Sequence, residues 1–288
     1  MKKLSRVLLG VLTFMLCALL CLNLIASAVI YSVRTTFTNE FVYNTMSAIN
    51  YASIEFPDGN GGSATLAEMA DENLGQYGIS ISDEDVDSFI QIFSIDVIVT
   101  SFVQDFRGWL LDDAPKPTLN PAQMAEIMVS GLDSGVYSLL SVLADPTEIF
   151  TGILTGITEN VNIDEMTEPF EPIREILSEG SFYLLLSSVG VLLLLVLISR
   201  RMKFSQWLVC SGAAITVCGI LCKVIVGVSE AKKGYIIASA GISEAMFDVV
   251  YLPLCGTFST VGSIILLFGF TVIAVTLVVI GIRKMLKG

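Results

Sequence analysis

The chain of 288 residues contains no histidine. That removes the commonest general base, the Ser–His and Cys–His couples, and most zinc sites. Charge is scarce as well. Only 15% of residues are charged, against about 25% in soluble domains, so a plain soluble globule is not expected. Cations are the scarcer sign, 16 against 28 acids, for a formal net charge of −12. A nucleic acid needs a basic face, so it is not an expected partner. No cysteine falls within 32–181, so that segment must hold itself by packing rather than by disulfides. A phosphate-cradling glycine loop, a kinase motif and a G-x-S-x-G are all missing. No enzyme, cofactor or metal site is expected on these grounds.

What is abundant is apolar: 53% of the residues are hydrophobic. Four stretches reach the ~20 apolar residues that a helix needs to span a bilayer core. They run from Val7 to Ile30, Phe182 to Ser199, Phe204 to about Val228, and about Phe258 to Ile282, and none holds an acid. The lipid bilayer is therefore the first expected partner. Nine basic residues flank the runs on one side: Lys2, Lys3, Arg6, Arg200, Arg201, Lys203, Arg283, Lys284 and Lys287. Segment 32–181 carries 25 acids against Arg34, Arg107, Lys116 and Arg174. The positive-inside rule then places both termini in the cytoplasm and 32–181 outside. Lys2-Lys3, the apolar stretch and Ala26-Ser27-Ala28 also fit a cleaved signal peptide. The run is longer than the ~7–15 residues of a signal core, so an uncleaved anchor is expected.

The expected fold is an all-α membrane protein of four transmembrane helices, with an extracytoplasmic all-α domain inserted between the first and second. Its parts are an anchor over 1–31, the acidic domain over 32–181, and a three-span region over 182–288 with an outer loop at about 229–257. In the acidic domain, Ser82-Asp83-Glu84-Asp85 opens an apolar helical face at Val86, Phe89, Ile90, Phe93 and Val97. That helix is expected to end near Leu111, before Asp112 to Pro117. Asn120-Pro121-Ala122-Gln123 starts another, to about Ala144, and Asp145-Pro146-Thr147-Glu148 a third, to about Glu159. A last helix spans Glu171 to Leu177. Tyr31 to Ile54 should extend the first span, Pro57 to Ser63 form a loop, and Ala64 to Gln76 a short helix.

Several residues invite chemistry. Asp83, Glu84, Asp85 and Asp87 suggest calcium, but lack the EF-hand spacing, and acids at a helix start offset its dipole. Glu159, Asp164, Glu165, Glu168, Glu171, Glu175 and Glu179 could supply a carboxylate pair, but read more simply as a solvated acidic face. Lys223 lies inside the third run, and a charge inside a span is a functional candidate by default. Its amine either snorkels to the interface or pairs with Glu244 or Asp248, which are four apart on one helical face. Cys210, Cys218 and Cys222 share the third run and read as small fillers between packed helices, and Cys255 stands alone and could bridge to another chain. Ser187, Ser188, Gly190, Ser211, Gly212, Ala213, Gly262 and Gly269 permit close approach of spans.

The layout resembles uncharacterised bacterial membrane proteins of Gram-positive type. The matching features are the Ser82–Asp87 cap with its apolar helix, the Asp112–Pro117 break and the second capped helix from Asn120. The resemblance implies a cell-envelope location and no particular activity. The expected function is non-enzymatic: a surface contact, sensor or scaffold protein acting through its outer domain, with a protein partner or self-association through the spans. The rival expectation is a homo-oligomeric channel or transporter component.

Overall fold

Uncharged runs of Leu, Val, Ile and Ala form helices in a bilayer because a helix bonds every backbone polar group within its own segment. In the computed structural model of the chain, the described residues are 2–49, 55–57, 63–65, 68, 82–92, 94–142, 144–158, 161–199, 204–240 and 244–286. Among them the helices are α1 (Lys2–Thr36), α2 (Asn39–Ser47), α3 (Asp83–Ile92), α4 (Ile95–Leu111), α5 (Pro121–Gly131), α6 (Ser134–Ser141) and α7 (Pro146–Thr158). They continue with α8 (Ile163–Thr167), α9 (Glu171–Leu177), α10 (Glu179–Ser199), α11 (Phe204–Ala231), α12 (Lys233–Ala240) and α13 (Glu244–Met285). A small antiparallel hairpin of β1 (Glu55–Pro57) and β2 (Ser63–Thr65) lies between α2 and α3, pairing Glu55 with Thr65 and Pro57 with Ser63. The chain divides into two compact units, 1–37 with 175–288, and 38–174.

Among the described residues, four helices are long and apolar enough to cross a membrane: α1, α10 at the end of the stretch Ile163–Ser199, α11 and α13. This is the make-up of a multi-pass membrane protein. The fourth helix starts earlier than its apolar run suggests, at Glu244 rather than near Phe258, and takes in Pro253. The expected outer loop is correspondingly mostly helix, shared by the end of α11, α12 and the start of α13. Pro253 is the one proline of 229–257, and a proline in a helix interior gives up a backbone hydrogen bond. It is accommodated, and its carbonyl accepts the Thr257 hydroxyl at 2.9 Å.

The first unit is organised by close approach of α11 and α13, which run antiparallel. A Cβ added at Gly219 would meet the backbone nitrogen of Leu266 at 2.5 Å, and one at Gly269 the nitrogen of Thr216 at 2.5 Å. One at Gly262 would meet the Cβ of Cys222 at 2.7 Å, and one at Gly212 a side-chain carbon of Ile273 at 2.9 Å. Lipid tails are as apolar as leucine, so association here rests on van der Waals packing, which small residues make possible. Gly212, Gly262 and Gly269 act as their size suggested, and Gly219 joins them. Helix α1 packs beside this pair through Cys21 and Ala28, which join Cys218, Cys222, Val226 and Phe258 in one buried cluster. Helix α10 meets α1 through hydrogen bonds: Asn23 Nδ2 donates to Ser188 Oγ, and Thr13 and Ser199 hydroxyls lie 3.0 Å apart. Trp207 Nε1 of α11 donates to the Leu193 carbonyl of α10 at 2.7 Å.

In the second unit, caps decide the ends. Asn120 Oδ1 accepts from the amides of Ala122 and Gln123, with Pro121 first in the helix. That helix stops at Gly131, short of the expected Ala144, because Asp133 caps a new one. Its Oδ1 accepts from the amides of Gly135 and Val136 at 2.6 and 2.9 Å. Likewise the expected helix from Ser82 to Leu111 is two, broken at Ser94, whose φ of 51° is left-handed. Gly131 lies against the Ser94 side chain, with no room for a Cβ. The ends at Leu111 and Thr158 fall where expected. Past Leu111 the Gly108 carbonyl accepts from the amides of Asp112 and Ala114, and Asp113 takes φ 56°. The first span does not extend unbroken to Ile54: α1 ends at Thr36, and Thr38 Oγ1 caps α2 by accepting from the Phe41 amide. Most of the helix expected over 64–76 lies outside the described residues, and Ala64 itself is strand. Thr65 Oγ1 accepts from the Glu68 amide, and a Glu68 carboxylate oxygen accepts from the Thr65 amide. The core is Ile98, Ala125, Met128, Phe150 and Leu154, flanked by Met124, Ile127, Leu132 and Leu140.

Candidate functional site

The sequence nominates Lys223, Glu244 and Asp248. The structure places Lys223 on an exposed face of α11, where its amine donates to Ser259 Oγ of α13 at 2.7 Å. Asp248, on α13, is held instead by Lys233 of α12, with Nζ 2.7 Å from its carboxylate oxygens. The suggested Lys223–Asp248 pair is therefore not formed. Glu244 is the first residue of α13, and its side chain lies outside the described residues. Between these two links, the Ser229 and Tyr251 hydroxyls are 2.7 Å apart, and Tyr251 stacks on Phe247 with centroids 4.7 Å apart. Thr36 of α1 adds a bond to Thr257 at 3.0 Å. A polar seam thus runs along the α11–α13 end that is remote from Arg283 and Lys284. Lys233 had no evident role in the sequence, because its partner lies across a helical reversal that local spacing does not reveal.

All six cysteines are free thiols. Cys21, Cys218 and Cys222 are buried together where α1 crosses α11, and Cys255 packs against them, partly buried. Their neighbours are apolar, which is the setting of packing cysteines. Among the described residues, no three His, Cys, Asp or Glu side chains are arranged to hold a metal ion.

The second unit pairs its few cations internally. Arg107 bonds Asp112 and also reaches Asn39 Oδ1 at 3.3 Å. Lys116 Nζ is 2.6 Å from Asp164 and 3.8 Å from Glu171. Arg174 Nε donates to the Trp109 carbonyl at 2.9 Å, its guanidinium 5.4 Å from that indole, which is 2% exposed. Phe106 bridges Trp109 and Phe170, edge-on to the latter. Arg34, in the first unit, donates to the Leu177 carbonyl at 2.9 Å. The acids stay in water: Glu165, Glu168, Glu175 and Glu179 are exposed, and no carboxylate of 38–174 is buried among the described residues. Asp164 and Glu165 open α8 under an Asn162 cap, a helix hidden from the sequence reading by its acidity. The side chains of Asp83, Asp85 and Asp87, and all of Glu159, lie outside the described residues.

No family model, no curated protein and no solved structure matches the chain.

Proposed function

We propose that the protein is a multi-pass membrane protein that works by contact, its acidic helical unit facing the extracytoplasmic side and meeting a basic partner surface. The observation that carries this is the asymmetry of charge. Arg107, Lys116 and Arg174 are turned onto groups of their own unit, and the carboxylates are left solvated. A solvated acidic surface steers cationic partners and repels anionic headgroups. The positive-inside rule supports cytoplasmic termini, because the basic residues cluster at Lys2 to Arg6, Arg200 to Lys203 and Arg283 to Lys287.

Crosslinking of the tagged full-length protein in its native membrane, with mass spectrometry of what co-purifies, tests the reading. A reproducible partner with a basic extracytoplasmic face is expected. Its recovery should fall between about 0.15 and 1 M salt, as the Debye length shrinks from about 8 to 3 Å. Recovery of the protein only as a self-crosslinked ladder would favour the channel reading, which flux through proteoliposomes would then decide.

A further inference from the structure

Lys223 and Ser259 together have a chemistry that packing does not explain. Most described serines and threonines of α13 return their hydroxyl proton to the carbonyl four residues back. Thr257, Thr260, Ser263, Thr271 and Thr276 all do so, at 2.7–3.0 Å. Ser259 instead accepts from the Lys223 amine, and its own proton has no acceptor among the described residues. The amine has three N–H groups and spends one on Ser259. No carboxylate lies within ion-pair distance of it among the described residues. The pair therefore presents two ammonium N–H bonds and one hydroxyl O–H with no acceptor, on an exposed surface between Ile220 and Val224, which are both about half exposed. An ammonium among lipid-facing side chains needs a counter-charge.

Depth identifies it. Arg283 and Lys284 mark one membrane boundary at the end of α13. A hydrocarbon core of about 30 Å is about 20 residues of helix, which reaches from Ile282 to Gly262. Gly262 lies against Cys222, so Lys223 and Ser259 stand level with the far boundary. Phospholipid phosphates begin at that depth.

We infer that Lys223 and Ser259 form a phosphate-binding site for an anionic phospholipid headgroup in the leaflet opposite the Arg283–Lys284 end. The ammonium neutralises the phosphodiester charge and the Ser259 hydroxyl donates to one of its oxygens. The site goes beyond the contact function proposed for the acidic unit and does not depend on it.

Native mass spectrometry of the delipidated full-length protein, supplemented with phosphatidylglycerol or phosphatidylcholine, reads the site directly. The wild type should retain phosphatidylglycerol in preference to phosphatidylcholine, whose own ammonium offsets its phosphate. Lys223→Gln should lower retention about fivefold and Ser259→Ala by less, while Lys223→Arg retains it. Should Lys223→Gln fail to fold, the contrast of Lys223→Arg with Ser259→Ala carries the test. Retention unchanged in Ser259→Ala, or in a folded Lys223→Gln, overturns the site. Displacement of the lipid by inorganic phosphate at comparable concentration overturns the lipid assignment in favour of a free anion.

Discussion

Gly219 matters for the side chain it does not have. A methyl there would stand 2.5 Å from the Leu266 backbone, and backbone cannot rotate away as a side chain can. Overpacking of this kind costs about 1–3 kcal/mol. Gly219→Ala should therefore lower the melting temperature of the detergent-purified protein. Gly227→Ala, with nothing within 4 Å, should leave it unchanged or raise it, since alanine is the better helix former. Equal melting of the two variants would show that the α11–α13 approach is looser than described. The pair also shows how far the sequence can be read. Smallness marks every glycine of the spans as a possible contact. Which ones face a neighbour depends on the rotation of one helix against another, and no local pattern encodes that. Gly190, readable as a packing residue on the same grounds, has open space where its Cβ would be.

At the scale of the helix, starts marked by a capping side chain followed by proline are legible and interruptions are not. Asn120 with Pro121, and Asp145 with Pro146, announce helix starts through side chains that satisfy the first free amides. Asn120→Ala should cost about 1 kcal/mol, and hydrogen exchange of the full-length protein should show faster opening of α5 than of α7. Uniform exchange in both helices would deny the cap its role. Neither Ser94 nor Asp133 stands out in the sequence as a break. Apolar periodicity continues through both, and each competing preference, a left-handed serine and a second Asx cap, is a choice between two locally acceptable conformations. Tertiary contact selects between them, as where Gly131 seats against Ser94. The Lys233–Asp248 link was hidden for the same reason. It needs α12 to fold back on α13, whereas the proposed Lys223–Asp248 pair assumed a loop.

At the scale of the whole chain, the four apolar helices were readable because a span of twenty uncharged residues has few other destinations. The polar seam was readable only as isolated charges. Topology is the property that governs everything proposed for the acidic unit. A reporter that is active only outside the cytoplasm, fused after Ser130, should be active, and the same reporter fused after Gly288 should be silent. Activity at Gly288 with silence at Ser130 would invert the molecule and put the acidic surface in the cytoplasm. Tyr31 and Tyr183, about half exposed on α1 and α10, suit the far interface in the expected orientation, where amphipathic rings settle.

Helix α13 has 42 residues, about twice what a bilayer requires. From Met285 to Pro253 it measures about 48 Å without a proline or a break. Measured from the Gly262 and Gly269 contacts, a lean of about 10° would displace the Pro253 end by only about 2–4 Å. The glycine contacts clamp α13 to α11 at Gly262 and Gly269, so any tilt of that length of helix has to be shared by its neighbour.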